Sequence, residues 1–288
     1  MTSFLHNQPL SKFCTFGIGG PARLFATINN IEAMQNAIRE CASSNTPYII
    51  LGKGSNCLFD DRGFDGAVLL NKIDFFKTTS PGCFHVGAGY SFSLLGSQTA
   101  RQEWSGLEFA SGIPGTVGGA VFMNAGANGR ETCESLLSVD YISEKGEICT
   151  LKKEELSFAY RTSSFQQLAG AIVGATFGLT HSPEARTKQL EIINYRKRTQ
   201  PYNDRSAGCI FRNSSCAPAG ALIEKSGLKN YRIGDAMVSP VHANFIVNVE
   251  QATARQVLEL IDIVKKEVRT KMGVDLESEV RYIPYQII

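Results

Sequence analysis

The segment Gly106 to Glu131, GLEFASGIPGTVGGAVFMNAGANGRE, constrains the fold more than any other part of the chain. Seven of its 26 residues are glycine (106, 112, 115, 118, 119, 126 and 129), against 27 in all 288. Glycine reaches backbone dihedrals that a Cβ forbids and lets main-chain N–H groups approach a ligand closely. Successive N–H groups in such turns form concave sites for anions, phosphate among them. No acid lies between Glu108 and Glu131 to repel one. A glycine-rich surface loop is the ordinary alternative. Here, however, Phe109, Ile113, Val117, Val121, Phe122 and Met123 are interleaved with the glycines and call for burial. A buried, acid-poor glycine segment reads as a cofactor cradle.

The length allows more than one core and predicts two or three domains. A hydrophobic share of 43% with 19% charged residues is that of a soluble globular protein. A net charge of +2 gives no ground for a nucleic-acid partner and suits an anionic small molecule. No basic stretch followed by an apolar run opens the chain, and no apolar run reaches bilayer length. The expectation is a cytoplasmic protein without membrane insertion. The eight cysteines (14, 41, 57, 83, 133, 149, 209, 216) contain no C-x-x-C and read as reduced thiols. The four histidines are scattered, so no metal is expected.

Along the chain, the apolar run Leu24 to Ile28 precedes a helix predicted over 31–42 from Ile31, Met34, Ile38 and Cys41. Asn29 or Asn30 can cap it. Pro47 to Leu51 reads as a strand, completing a βαβ unit. It leads into the glycine loop Gly52-Lys53-Gly54-Ser55-Asn56, at a strand end where α/β folds commonly place ligands. Val86-Gly-Ala-Gly89 is a third such loop, and 134–180 reads as mostly strands. A helix opens at Ser182-Pro183 and stops before Pro201. A second helix is predicted over 254–271, with Val257, Leu260, Ile261, Val264 and Val268 on one face and Thr253/Gln256 as a capping box. One or two strands are expected from Glu279 to Ile288.

Neither G-x-G loop completes a dinucleotide fingerprint, since Cys57 and Phe92 stand where a third glycine belongs. No G-x-x-x-x-G-K-[ST] phosphate loop occurs either. A Rossmann or P-loop reading is therefore poor, while the loops together still favour a large phosphate-bearing ligand.

TFGIGGPA (15–22), LGKGSN (51–56), VGAG (86–89) and SGIPGTVGGAVFMNAGA (111–127) resemble, in order, the flavin domain of the UDP-N-acetylenolpyruvoylglucosamine reductase family. YRTSSF (160–165), SAGCIFRN (206–213), AGALIEKSGLKNYRIGDAMVS (219–239), HANFIVN (242–248) and GVDLESEVRYI (273–283) continue the resemblance over nearly the whole chain. The short form, without an extra loop in the substrate domain, is the closer match. The resemblance implies an α+β fold with a two-lobed FAD-binding domain of the PCMH (vanillyl-alcohol-oxidase-like) type and a C-terminal α+β substrate domain. The expected division is 1–78 for lobe 1, 79–200 for lobe 2 and 201–288 for the substrate domain, with the last strand free to return to lobe 1.

The implied reaction reduces an enolpyruvyl ether on a UDP-sugar to UDP-N-acetylmuramate for peptidoglycan, with NADPH as hydride donor and non-covalent FAD as carrier. A monomer is expected. The cofactor residues expected are Gly52, Lys53, Gly54, Ser55, Asn56, Ser111, Gly112, Ile113, Pro114, Gly115, Thr116, Gly118, Gly119, Asn124 and Ala125. Arg161 matches the family's catalytic arginine, a forked, permanent cation suited to a carboxylate or enolate oxygen. Glu279, in the L-E-x-E-V-R ending, matches the family's glutamate, and Glu277 is its neighbour on the same side of an extended strand. Cys209 departs from the family's serine, the proton donor. A thiol with a pKa of roughly 8.5 is intrinsically the stronger acid, at the cost of sensitivity to alkylation and oxidation. Tyr160, Arg212 and Asn213 are expected at the substrate. Pro240-Val241 replaces charged residues usual in relatives, and His242 is open to a structural or a functional reading. The rivals are another flavin oxidoreductase on this fold, such as a sugar or hydroxy-acid oxidase, and an inactive sugar-nucleotide-binding relative. Oxidases of this kind often tether flavin through histidine, and none occurs in 51–56 or 106–131.

Overall fold

The structure, a computed structural model, describes residues 2–286. The chain divides into two compact units, and the division is not simply sequential. The first takes residues 2–5, 24–53 and 66–196; the second takes 6–23, 54–65 and 197–286. The segments 6–23 and 54–65, numbered with lobe 1 in the sequence division, thus belong to the second unit. The loop 52–56 carries the chain from one unit to the other.

In the first unit a five-stranded sheet runs in the order Ile148–Lys152, Leu136–Ser143, Gly170–Gly178, Cys83–Gly87, Phe76–Ser80. All its pairings are antiparallel. Its central strand, GAIVGATFG, is apolar on both faces because both are covered. On one side Val173 and Ala171 pack with Met34, Ala37 and Ile38 of the helix Ile31–Ser43. On the other, Ala175 and Phe177 join Phe84, Phe92, Leu95, Phe109, Val117 and Val121. Each large side chain removed from water there contributes about 1.5–3 kcal/mol. Phe109, Val117 and Val121 of the glycine segment are therefore core, while Ile113 and Phe122 are partly buried against it and Met123 is half-buried. The expected helix at 31–42 extends to Ser43, and Asn30 caps it, its Oδ1 accepting from the Ala33 N–H at 2.8 Å. The strand Tyr48–Leu51 runs parallel to Phe64–Asn71, which intervenes between it and Pro21–Ile28. The two strands flanking the helix are thus not neighbours.

In the second unit the strands Arg205–Cys209, Phe245–Asn248, Ala236–Val238 and Arg232–Ile233 form a sheet in that order. The helix Ala254–Met272 buries Val257, Leu260, Ile261, Val264 and Val268 against it. Thr253 and Gln256 form the expected reciprocal capping box, and Gly273, at φ 69°, ends the helix. Asp61 adds to the same helix start, accepting the Ala254 N–H at 2.7 Å. Phe16, Ile18 and Leu58 are buried in this core, which explains why their segments belong here. The strand Arg281–Ile283 runs parallel to Cys57–Phe59. The expectation of strand at the chain end reaches residues 287 and 288, which lie outside the described residues. The helix expected after Ser182-Pro183 is Ala185–Thr199. Among the described residues no helix is long and apolar enough to cross a membrane.

Candidate active site

The glycine cradle of the first unit is organised around Thr116. Its hydroxyl caps the helix Val117–Phe122, accepting the Gly119 N–H at 3.4 Å. Gly52 lies directly against it, since a Cβ there would sit 2.5 Å from Thr116 Oγ1. Gly118 has a packing reason too. A Cβ would come within 2.9 Å of the Ala88 Cβ, and its N–H donates to the Ala88 carbonyl at 2.9 Å. The VGAG loop therefore supports the cradle from beneath. Val117 N–H is committed to the Tyr90 carbonyl and Ile113 N–H to that of Ala110, both at 2.9 Å. Gly112, at φ 84°, makes the turn after Ser111 and donates to Ser93 Oγ at 2.7 Å. Ser111 is wholly buried, and its hydroxyl has no hydrogen-bond partner. An acid-free loop with an orphaned hydroxyl and a Cβ-free wall fits a phosphate-bearing flavin.

Asn124 follows the cradle helix. It is fully buried, left-handed at φ 42°, and saturated by protein. Its Nδ2 donates to Glu131 Oε2 at 2.8 Å and to the Ala159 carbonyl at 3.0 Å, while Oδ1 accepts the Cys133 N–H at 3.0 Å. The main chain of Ala125 is likewise engaged, with its carbonyl accepting from Thr132. These residues tie the cradle to the hairpin Phe158–Ala159/Thr162–Ser163.

Tyr160 and Arg161 form the tip of that hairpin. Arg161 is left-handed at φ 58°, which few non-glycine residues adopt. Its guanidinium lies 4.9 Å from the Tyr160 ring centroid, and Nη2 donates to the Gly126 carbonyl at 3.0 Å. Strained backbone at such a residue is the kind that accumulates at working sites. Gln166, which no sequence pattern singled out, donates to the carbonyls of both Arg161 and Phe122.

In the second unit, Cys209 ends the strand Arg205–Cys209, just after Gly208 at φ 77°. Its thiol is half-buried and not part of a disulfide. The chain then pairs with the C-terminal segment. Glu279 N–H donates to the Ile210 carbonyl at 2.7 Å, and Arg212 N–H to the Glu277 carbonyl at 2.9 Å. Cys209, Arg212, Asn213 and Glu279 are thereby brought onto adjoining backbone. Asn56 Nδ2 donates to the Glu279 carbonyl at 3.2 Å, adding part of the 52–56 loop. Gly54 lets the same loop lie against Phe13 and Cys14, since a Cβ there would lie 2.5 Å from the Phe13 carbonyl.

The geometry separates the two glutamates. Glu277 is 79% exposed with its carboxylate 3.9 Å from Arg212 Nη1, whereas Glu279 is half-buried. Arg212 Nε is buried without a hydrogen-bond partner. Asn213 Oδ1 accepts the Ala219 N–H at 3.0 Å at the start of the helix Ala219–Lys225. His242 is structural in its contacts: Nδ1 accepts the Asn244 N–H at 3.2 Å and the ring meets Phe245 edge-on. Burial pushes its pKa below the usual histidine value. Asn244, unnoticed in the sequence, grips Phe211 at both ends of its peptide unit, at 2.9 and 2.8 Å. Its own carbonyl receives Ile210 N–H.

Comparison with known proteins agrees with both halves of this description. Residues 22–152 match the FAD binding domain family, and residues 200–283 match the C-terminal domain of UDP-N-acetylenolpyruvoylglucosamine reductase. The chain is 60% identical over 281 residues to the UDP-N-acetylenolpyruvoylglucosamine reductase of Protochlamydia amoebophila, covering 98% of this chain and 94% of the relative. It is 48% identical to that of Chlamydia abortus, over 96% of this chain and 94% of the other. Among solved structures, the UDP-N-acetylenolpyruvylglucosamine reductase of Thermus caldophilus superposes with a TM-score of 0.84 at 36% identity, covering 99% of this chain and 100% of the other. The chain belongs to the UDP-N-acetylenolpyruvoylglucosamine reductase family, FAD-containing oxidoreductases.

Proposed function

We propose that this chain reduces UDP-N-acetylenolpyruvoylglucosamine to UDP-N-acetylmuramate for peptidoglycan precursor synthesis, with NADPH as the hydride source. The observation that carries the reading is the pairing of 210–212, directly after Cys209, with 277–280, which gathers a thiol, a glutamate and a basic side chain on adjoining backbone. Bound FAD supplies hydride transfer, from NADPH to the terminal carbon of the enolpyruvyl group. The cradle would hold it through Gly52 to Asn56, Ser111 to Thr116 and the Gly118–Gly119 wall, without a covalent bond. Asn124 and Ala125 would serve it by fixing the cradle end.

The protein's own work is orientation and proton movement. Arg161 would set its guanidinium against the substrate carboxylate, stabilising charge that develops on the enolate oxygen. Cys209 Sγ would deliver the proton to the adjacent carbon. Glu279 would assist beside the carboxylate, which requires a proton or a cation partner on it. Arg212, with its unpaired Nε, and Asn213 would bind the diphosphate, with Tyr160 also at the substrate. In this reading 1–78 and 79–200 are the flavin lobes and 201–288 the substrate domain. On the same reading the enzyme works in the cytoplasm, where UDP-sugar and nicotinamide chemistry is at home, as a monomer.

Rapid mixing tests the reading: NADPH should bleach the yellow protein, and the enolpyruvyl substrate should restore its colour. Bleaching by a sugar or hydroxy acid in place of NADPH, with the colour restored by dioxygen, would instead support the oxidase reading.

A further inference from the structure

We propose that Gln166 is a positioning residue for Arg161, clamping the arginine's backbone to the end of the cofactor cradle. The proposal rests on the role given to Arg161 above. A primary amide carries two donor hydrogens, and both are used here. Gln166 Nε2 lies 3.0 Å from the Arg161 carbonyl and 3.1 Å from the Phe122 carbonyl. Phe122 is the last residue of the helix Val117–Phe122, where carbonyls lack intrahelical donors. Ser163 Oγ donates to the same carbonyl at 2.6 Å.

The other flank of the hairpin is fixed independently. Asn124 Nδ2 holds the Ala159 carbonyl at 3.0 Å. The tip is thus tied at Ala159 by Asn124 and at Arg161 by Gln166, and both ties lead back to the residues that close the cradle. Arg161 needs such restraint, because a non-glycine residue leaves φ 58° unless its surroundings over-determine it. That backbone fixes the Cα–Cβ direction from which the side chain sets out, and from there the guanidinium reaches the Gly126 carbonyl and lies over Tyr160. Misplacing a reacting group by an ångström can cost about 10²-fold in rate. The clamp therefore acts on the substrate half of the reaction, while the cradle itself keeps its Thr116 cap and its Ala88 support.

Gln166→Leu removes both donors at nearly constant volume. In the holoenzyme, flavin content and reduction by NADPH should stay within about 2-fold of the parent. Reoxidation by the enolpyruvyl substrate should slow by about 10- to 10²-fold. In an Arg161→Ala background the same change should add less than about 2-fold, because no guanidinium remains to position. Reoxidation at the parent rate, equal slowing of both half-reactions, or a full additional loss in the Arg161→Ala background overturns the proposal. A crystal structure of Gln166→Leu decides it without any turnover. Departure of Arg161 from its left-handed conformation supports the clamp, and an unchanged Arg161 with its Gly126 contact intact overturns it. If the parent protein is not reoxidised by the substrate, the functional reading fails while this structural test still stands.

Discussion

The main-chain N–H of Glu279 donates to the carbonyl of Ile210 at 2.7 Å. Glu279 is therefore held to the residue that directly follows Cys209, and Cys209 itself pairs with Phe245. Asn244 fixes the next residue, Phe211, from the opposite side.

Cys209→Ala should leave FAD binding and reduction by NADPH nearly intact. The second half-reaction should slow by about 10²-fold or more, the scale of a positioned general acid. Cys209→Ser should keep much of the activity and lose its sensitivity to alkylation. Stopped-flow measurement of each half-reaction checks this, and reoxidation of the alanine variant at the parent rate would assign the proton to Glu279 or water.

Gly52→Ala should lower FAD affinity. Its Cβ would stand 2.5 Å from Thr116 Oγ1, forcing the cap of Val117–Phe122 to turn away. Loss of such a cap is worth about 1 kcal/mol, or about 5-fold in an equilibrium. Gly129→Asn, at a left-handed position with nothing within 4 Å, should leave affinity unchanged. Fluorescence titration of the apoprotein compares them. Acid precipitation of the holoprotein should release all flavin to the supernatant, as the proposed non-covalent attachment requires; flavin left on the precipitate would contradict it.

Leu260→Ala should destabilise the second unit by about 2–5 kcal/mol, since the side chain is wholly buried in its core. Thr253→Ala should cost about 1 kcal/mol through the lost cap. Denaturant titration would show two unequal shifts, and equal shifts would contradict the packing described.

His242 should make stability fall on mild acidification. Burial depresses its folded pKa, so below about 6.5, the ordinary value, the unfolded chain takes up a proton the folded protein refuses. Stability from this source is complete above that pH and declines as pH falls toward the lower folded value. His242→Phe should flatten the profile between pH 7 and 5 (about those limits), as thermal melts would show. A profile identical to the parent's would mean that the ring is protonated as readily folded as unfolded.

Local signals carried much of this structure in plain view. The helix Ala254–Met272 was readable because Thr253, Gln256 and the apolar stripe are all within one segment. The cradle was readable from glycines interleaved with apolar residues. What the sequence did not disclose are bonds between distant segments. Nothing near Gln166 points to Phe122, and nothing near Asn244 points to Phe211. Gly118 is glycine partly because Ala88 lies beneath it, and Asn124 is spent on Glu131, Cys133 and Ala159. The placing of Phe16, Ile18 and Leu58 in the second core was hidden for the same reason: their partners lie beyond residue 200.

The most direct test of the central claim is NADPH consumption with and without UDP-N-acetylenolpyruvoylglucosamine. The substrate should greatly accelerate oxidation, with one UDP-N-acetylmuramate formed for each NADPH consumed. NADPH oxidation that is indifferent to the substrate, or that proceeds without UDP-N-acetylmuramate, would contradict it.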